Sequence, residues 1–483
     1  MRIVIAASEG VPFVKTGGLA DVTGTLLKEL RKKNHKVSLI IPLYPDIKKK
    51  WNLFSTGKII SVVMGDMVIK GHILASDNTK NPEVYFIECD TLYDRPELYG
   101  TSDGEYSDNA IRFLFFSRAV LETCISLNIV PDVVHCNDWQ TAMIPLYLKV
   151  IYSGYRQFKK TASLYTIHNL AYEGLFPASY MKYTGLGLDY FVPERLEFYG
   201  KMNFMKAGIL YADQLNTVSS TYAREILEKE YGFGLEGVLR TRRDSLRGIL
   251  NGIDYDEWDP SHDQFIPEPY STDNLQGKAT CKNAFIETIG IKDPEKPLVG
   301  IVSRFAAQKG LDLVYLSLDE LMSIGVNIAI LGKGEDYYQN LFSKVSRKYR
   351  GRLFVKIGFI EPLAHLLYAG CDFFLMPSKY EPCGIGQMIA MRYGTVPIAR
   401  KTGGLADSIL DYNYYASRGN GFLFSDFSAF AMQDSIKRAL CVFTDKSRMQ
   451  KIMFSAMQKD FSWKNSAEQY LKLYRRACRE ISV

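Results

Sequence analysis

Residues 15 to 21 read K-T-G-G-L-A-D, and residues 401 to 407 repeat the same seven letters. Adjacent glycines let backbone N–H groups approach an anion, and a helix N-terminus behind them adds roughly half a positive charge. One such loop reads equally as a plain βα turn or as a phosphate cradle. Two copies, each between a strand and a helical run, favour the cradle. Between them, the run from Ser303 through Arg304, Gln308 and Lys309 to Gly310 offers two cations that can hold a diphosphate without a metal. Charge-assisted hydrogen bonds of this kind contribute about 1.5–3 kcal/mol each, and a leaving diphosphate gains charge in the transition state. Taken alone, the pair also fits a solvated surface. The segment Ser378 to Gln387 places Glu381 beside Pro382, followed by Cys383 and Gly384. A carboxylate there hydrogen-bonds sugar hydroxyls and balances an oxocarbenium-like charge; the alternative is a helix N-terminal charge.

Two further strand ends carry polar groups, His135-Cys136-Asn137-Asp138-Trp139-Gln140 and Thr166-Ile167-His168-Asn169-Leu170. His135 lies within its strand and reads as structural, whereas His168 ends its strand and is the better chemical candidate. Asn251-Gly252-Ile253-Asp254 closes the first half, either as a turn or with Asn251 at a cleft mouth.

These residues need sheets to present them. A chain of 483 residues is too long for one core and divides into two domains. Short β-branched runs alternate with helical patterns, the mark of α/β doubly wound, Rossmann-like folds with parallel sheets. Strands are expected near Ile3–Ala7, Val37–Ile41, Val84–Glu88, Val133–Cys136, Ser163–Ile167 and Leu215–Val218, then near Val299–Val302, Ile328–Leu331, Phe354–Ile357, Phe373–Met376 and Val396–Ala399. After the first strand an amphipathic helix carries Val22, Leu26, Leu27 and Leu30 on one face. The proline-rich stretch Asp254 to Pro297 reads as a connection. The expected domains are therefore 1–253 and 254–462, with a last helix in 463–483 that packs back on the first domain.

Composition narrows the function classes. The net charge of +6 arises from 59 basic and 53 acidic residues without a dense basic block, which points away from nucleic acid. No apolar run reaches the roughly 18 residues of a membrane span. The start, Met1 to Ala7, reads as a buried strand rather than a secretory signal. Eight scattered cysteines show neither a disulfide framework nor zinc spacing, and fit a reducing cytoplasm.

Taken in order, K-T-G-G-L, H-C-N-D-W, T-I-H-N-L-A-Y-E-G, N-G-I-D, S-R-F-x-x-Q-K-G and E-P-C-G resemble the glycogen and starch synthases of bacterial and plant type, along essentially the whole chain. The resemblance implies a retaining glucosyltransferase of the GT-B fold, with two Rossmann-like domains facing each other across a deep cleft. It implies ADP-glucose as donor, an α-1,4-glucan such as glycogen as acceptor, ADP as product, and neither cofactor nor metal. A cytoplasmic site is implied, or the plastid stroma in a plant lineage, with no nucleic-acid or membrane partner; oligomeric state is left open.

Carried over by residue, Lys15, Gly17 and Gly18, with Asp21 nearby, contact the donor from the first domain. Arg304 and Lys309 neutralise the diphosphate, and Glu381 holds the glucose beside Cys383 and Gly384. In the second loop, Thr402 joins Gly403 and Gly404, whose N–H groups serve the distal phosphate. His168 and Asp138 line the reacting centre, where the His168 carbonyl helps stabilise the developing cation. Tyr93 and Asn251 fall on the sugar side, and Phe359 stacks on the base. Asn137 departs from the family, which often has a second histidine there. The loop at 401–407 is expected to hold the donor first and Lys15 to reach it on closure. Rival readings are a GT-B enzyme using a UDP- or GDP-sugar, a phosphorolytic enzyme, which lacks an identifiable pyridoxal-phosphate lysine here, and a catalytically silent glucan-binding protein.

Overall fold

A computed structural model describes residues 1–80, 82–101 and 104–481. The chain forms two compact units: Met1–Val218 with Ala223–Ile249 and Trp463–Val483, and Ser219–Tyr222 with Leu250–Ser462. Residues 482 and 483 of the C-terminal segment lie outside the described residues.

The first unit is built on a nine-stranded sheet. Arg2–Ala6 pairs in parallel with Lys36–Pro42 on one side and Val133–Asn137 on the other. Val84–Glu88 follows Lys36–Pro42, while Ala162–Ile167, Gln214–Thr217 and Leu246–Gly248 extend the opposite side, all in parallel. Near-continuous apolar runs such as Ile3, Val4 and Ile5 are buried because helices cover both faces. The order reverses between Arg2–Ala6 and Val133–Asn137, and ligands of doubly wound sheets bind at the carboxyl ends of strands flanking such a point.

An antiparallel pair, Phe54–Met64 and Met67–Ala75, adds an edge that the sequence reading left out. Its burial alternates, Ile60, Val62 and Met64 inward while Ile59 and Val63 are exposed, as in a strand covered on one face. The helix Gly18–Lys32 starts inside the first K-T-G-G-L-A-D loop and buries Val22, Leu26, Leu27 and Leu30.

The helix Trp463–Ile481 packs within this same unit. Tyr470, Leu471, Leu473 and Tyr474 are buried, each large apolar side chain contributing about 1.5–3 kcal/mol. Tyr474 Oη meets His135 Nδ1 at 2.9 Å, and Gln214 donates to Glu480 at 2.7 Å.

The second unit carries six parallel strands in the spatial order Leu353–Ile357, Asn327–Gly332, Leu298–Val302, Phe373–Met376, Val396–Arg400, Phe422–Phe424. In chain order this is 3-2-1-4-5-6, the doubly wound arrangement, and its reversal lies between Leu298–Val302 and Phe373–Met376. The two Rossmann-like sheets expected from the alternating pattern are thus present.

The stretch read as a connection contains a helix, Gln276–Ile289, ended by Gly290 in the left-handed region. Its weak amphipathicity hid it, but Cys281, Phe285 and Ile286 are buried. Lys278 is buried too, its ammonium donating to Ala369 O, Cys371 O and Thr395 Oγ1. Burial, with no carboxylate among those acceptors, pushes its pKa down to about 8.

No helix among the described residues is long and apolar enough to cross a membrane. The eight cysteines are free thiols.

Candidate functional site

In the second unit, the loops that leave the two strands at the reversal point are tied together. Lys379 N–H donates to Gln308 O at 2.8 Å and Gln308 Nε2 to Tyr380 O at 3.0 Å. Gly310 has φ +69, and a Cβ there would lie 2.0 Å from Pro377 O, so only glycine permits this approach. The consequence is a fixed pair: Lys309 Nζ reaches Glu381 Oε2 at 2.6 Å, and Ser378 Oγ donates to the same oxygen at 2.9 Å. Both side chains are largely buried, at 16% and 8% exposure, so solvent screens their interaction far less than that of a surface pair. The ammonium still has two donors to give and the carboxylate a second oxygen. Arg304 stands exposed at the start of the same loop.

Behind Glu381, Gln387 Nε2 donates to Cys383 O, Gly384 O and Ser408 Oγ, which locks the turn. The Cys383 thiol is buried and its pKa is pushed up to about 12, so it is a neutral packing group that receives the Asn251 N–H. Asn251 itself is buried in this unit, and its Oδ1 has no protein partner. Phe359 follows Gly358 (φ +113) past the end of Leu353–Ile357, and the residue is 58% exposed.

The second K-T-G-G-L-A-D loop packs directly against this turn. Gly403 has φ +43, and a Cβ on it would lie 1.9 Å from Glu381 O. Gly404 N–H donates to Glu381 O and Pro382 O at 3.1 Å each. That N–H is already used, which corrects the expectation that Gly404 offers it to a phosphate. Thr402 is buried, and Asp407 accepts from Thr221 N and Oγ1 at 2.9 and 2.6 Å.

In the first unit the reversal point gathers a different set. Glu9, two residues beyond the buried Ala7, accepts from Thr16 N (2.5 Å), Thr16 Oγ1 (2.7 Å) and Tyr99 Oη (2.6 Å). It thereby shapes the first K-T-G-G-L-A-D loop. Sequence reasoning passed over Glu9; its signal was a carboxylate just past a strand at a reversal point. Lys15 Nζ pairs with Asp21 Oδ1 at 2.7 Å. Burial raises the Asp21 carboxyl, and Lys15 opposes that only in part. Gly17 is extended (φ −159), with open space where a Cβ would be, and Gly18 is exposed as the first helical residue.

Asp138 caps the Val133–Asn137 strand with φ +53, and its Oδ1 accepts from His168 N at 2.7 Å. Burial pushes its carboxyl up to about 7, against the backbone hydrogen bonds from His168 and Asn169, and Glu9 adds to the rise. Loss of solvent pushes the His168 imidazole down to about 3, so it is neutral near pH 7. Asn137 Nδ2 donates to Ala6 O at 3.1 Å, which leaves its Oδ1 facing His168 Nε2 at 2.9 Å. The proton therefore sits on Nε2, and Nδ1 keeps the lone pair. Asn137 thereby sets the tautomer of His168. His135 is wholly buried between Thr166 and Tyr474, as a structural histidine.

Tyr93 requires a correction. It is fully buried, and its hydroxyl donates to Arg112 O at 3.0 Å, so it offers no surface to a sugar. Arg112, also fully buried, lies over its ring with 5.8 Å to the centroid and donates to Leu92 O and Asn109 Oδ1. Glu173 was not singled out: it accepts from Asn203 Nδ2 at 2.6 Å, and burial pushes its carboxyl up to about 7.

Known proteins give independent footing. The sequence profile of the starch synthase catalytic domain matches residues 2–241, and that of group 1 glycosyl transferases matches residues 284–451. A glycogen synthase of Moorella thermoacetica is 46% identical, with 99% of this chain and 97% of that one covered. One of Thermodesulfovibrio yellowstonii is 43% identical, with 98% and 97% covered. Among solved structures, the catalytic domain of Arabidopsis thaliana starch synthase IV, bound to ADP and acarbose, superposes with a TM-score of 0.91 at 32% identity over 99% of both chains. A sucrose-phosphate synthase from Thermosynechococcus elongatus, at 17% identity and TM-score 0.62, shares the fold. With two GT-B-type Rossmann-like units and identity at this level over nearly its full length, the chain belongs to the glycogen and starch synthase family of glycosyltransferases.

Proposed function

We propose that this enzyme transfers glucose from ADP-glucose to the non-reducing 4-hydroxyl of an α-1,4-glucan with retention of configuration, releasing ADP. The observation that carries the reading is the Lys309–Glu381 pair, held at 2.6 Å at the reversal point of the second unit with Arg304 on the same loop. The two cations stabilise the charge that grows on the departing diphosphate. Glu381 binds glucose hydroxyls through its remaining oxygen, and its negative charge favours the cationic sugar ring. Phe359 offers a flat apolar surface for the base.

First-unit residues act on the same substrate. Lys15 adds a cation for the diphosphate, and Asp138 orders the backbone at His168, where a carbonyl faces the developing positive charge. No carboxylate nucleophile is required: the departing phosphate oxygen takes the proton of the incoming 4-hydroxyl on the same face. Trapping a glucosyl adduct on Glu381 or Asp138 would overturn that course. The metal-independent route is likewise part of the proposal, since the protein's own cations carry the neutralising role.

Initial rates with ADP-glucose and UDP-glucose, each with and without glycogen, test the whole reading. Primer-dependent ADP release with glucan elongation is expected. Preference for UDP-glucose would move the enzyme to another donor class, and absence of nucleotide release would make it a binding protein.

A further inference from the structure

Among the described residues, one group of three has metal-ligand geometry. A carboxylate oxygen of Glu257, one of Glu361 and an imidazole nitrogen of His365 lie within 4.8 Å of one another. All three belong to the second unit, and none belongs to the donor constellation. Glu257 sits in the turn that opens at Asp254, whose carbonyl accepts from Glu257 N and Trp258 N. Glu361 and His365 are four residues apart in the helix Glu361–Gly370 and so share one face.

An acidic pair near a histidine is common on surfaces, but this histidine is not a surface residue. Its side chain is 1% exposed, and its Nε2 is buried without a hydrogen-bond partner. The other nitrogen, Nδ1, meets Asp263 Oδ2 at 2.8 Å. Asp263 is equally buried and also accepts from Tyr393 Oη at 2.5 Å and Phe265 N at 2.8 Å. The proton then belongs on Nδ1, and the Nε2 lone pair is the one on offer. Trp258 stacks on the ring at 4.0 Å and 10°, which fixes its plane. A carboxylate that orients a histidine through its far nitrogen is the usual support of a metal ligand.

We infer that Glu257, Glu361 and His365 form a binding site for a divalent transition-metal ion of the zinc class, with Asp263 as the orienting carboxylate. The two carboxylates bring a charge of −2, which a divalent ion neutralises. The imidazole disfavours magnesium and calcium, which take oxygen ligands. Tetrahedral ligation at about 2.0–2.2 Å sets the ligand atoms roughly 3.4 Å apart, so atoms now up to 4.8 Å apart must draw together, and the two exposed glutamates can do so. The bound ion fastens the turn after Ile253 to the first turn of the helix that begins just beyond Phe359. It is a structural clip and takes no part in glucosyl transfer.

The test uses the full chain, stripped of metal with a chelator and titrated separately with Co²⁺, Zn²⁺ and Mg²⁺. One equivalent of Co²⁺ should bind with the visible absorbance of a tetrahedral site, and Zn²⁺ should displace it and raise Tm. Mg²⁺ should do neither. Glu361→Gln and Glu257→Gln, which alter exposed side chains and leave the fold intact by circular dichroism, should each weaken Zn²⁺ binding at least tenfold, and Asp263→Asn about 10–100-fold. Zn²⁺ affinity weaker than millimolar, or tight binding unmoved by both glutamate variants, as at one of the free cysteines, would overturn the assignment.

Discussion

A Cβ placed on Gly17 meets nothing within 4 Å, whereas one placed on Gly403 would lie 1.9 Å from Glu381 O. These glycines occupy the same position in identical seven-residue stretches. In the first unit the loop is braced from beneath by Glu9, and its glycines and Lys15 stay open to a ligand. In the second unit the glycines are buried, and they wedge the backbone of the Glu381 turn into place. The same letters leave an open loop in one unit and make a support for a neighbouring carboxylate in the other. A repeat therefore reports a shared strand–loop–helix geometry, and the surroundings decide what that geometry does.

The comparison breaks most sharply at the carboxylate that the second loop supports. Glu381→Ala or Lys309→Ala should lower turnover by about two orders of magnitude or more with the fold retained; near-normal turnover in either would remove the centre of the second-unit site. Next in size is Gly403→Ala. The left-handed backbone alone costs about 1–3 kcal/mol for a non-glycine residue, and the carbonyl of Glu381 must also move. Both Tm and turnover should fall, turnover by roughly tenfold to a hundredfold. Gly17→Ala is its control: Tm within about a degree of the wild type is expected where the backbone is extended and space is open. A large Tm loss for Gly17→Ala with none for Gly403→Ala would invert the roles of the two loops.

Lys15→Ala should depress turnover by about tenfold while ADP affinity, measured by calorimetry, changes less than about threefold. Lost ADP binding with turnover preserved would show that the first loop holds the nucleotide in the ground state. The smallest effect is a pH slope at Asp138. Its folded pKa of about 7 stands above an unfolded value of about 3.9. The folded state thus favours the protonated acid. Its stabilising effect is full below about pH 4 and is lost as pH rises through about 7. Asp138→Asn keeps the acceptor for the backbone hydrogen bonds and removes the titration. Its Tm should decline less than that of the wild type between pH 5 and 8, and parallel profiles would refute the shift.

Much of the site was legible because strand ends announce themselves. Arg304, Lys309, Glu381, Asp138 and His168 each follow a short apolar run, and parallel sheets expose their carboxyl ends. Glu9 was harder to see, since its importance comes from Thr16 and Tyr99, the latter 90 residues away. Tyr93, carried over to the sugar side from the resemblance, misled for the opposite reason: its hydroxyl turns inward to Arg112 O. The helix Gln276–Ile289 escaped notice because prolines surround it and its apolar face is narrow.

By itself the sequence determined two doubly wound sheets, the cations and carboxylate at their strand ends, and the family, since these follow from residue order and local periodicity. Only the tertiary structure decided which glycines stand open and which are packed, which N–H groups are already taken, where the His168 proton sits, and that ligand atoms of His365 and Glu257 lie within 4.8 Å. Those properties depend on distances between segments remote in sequence, and on the solvent that packing excludes.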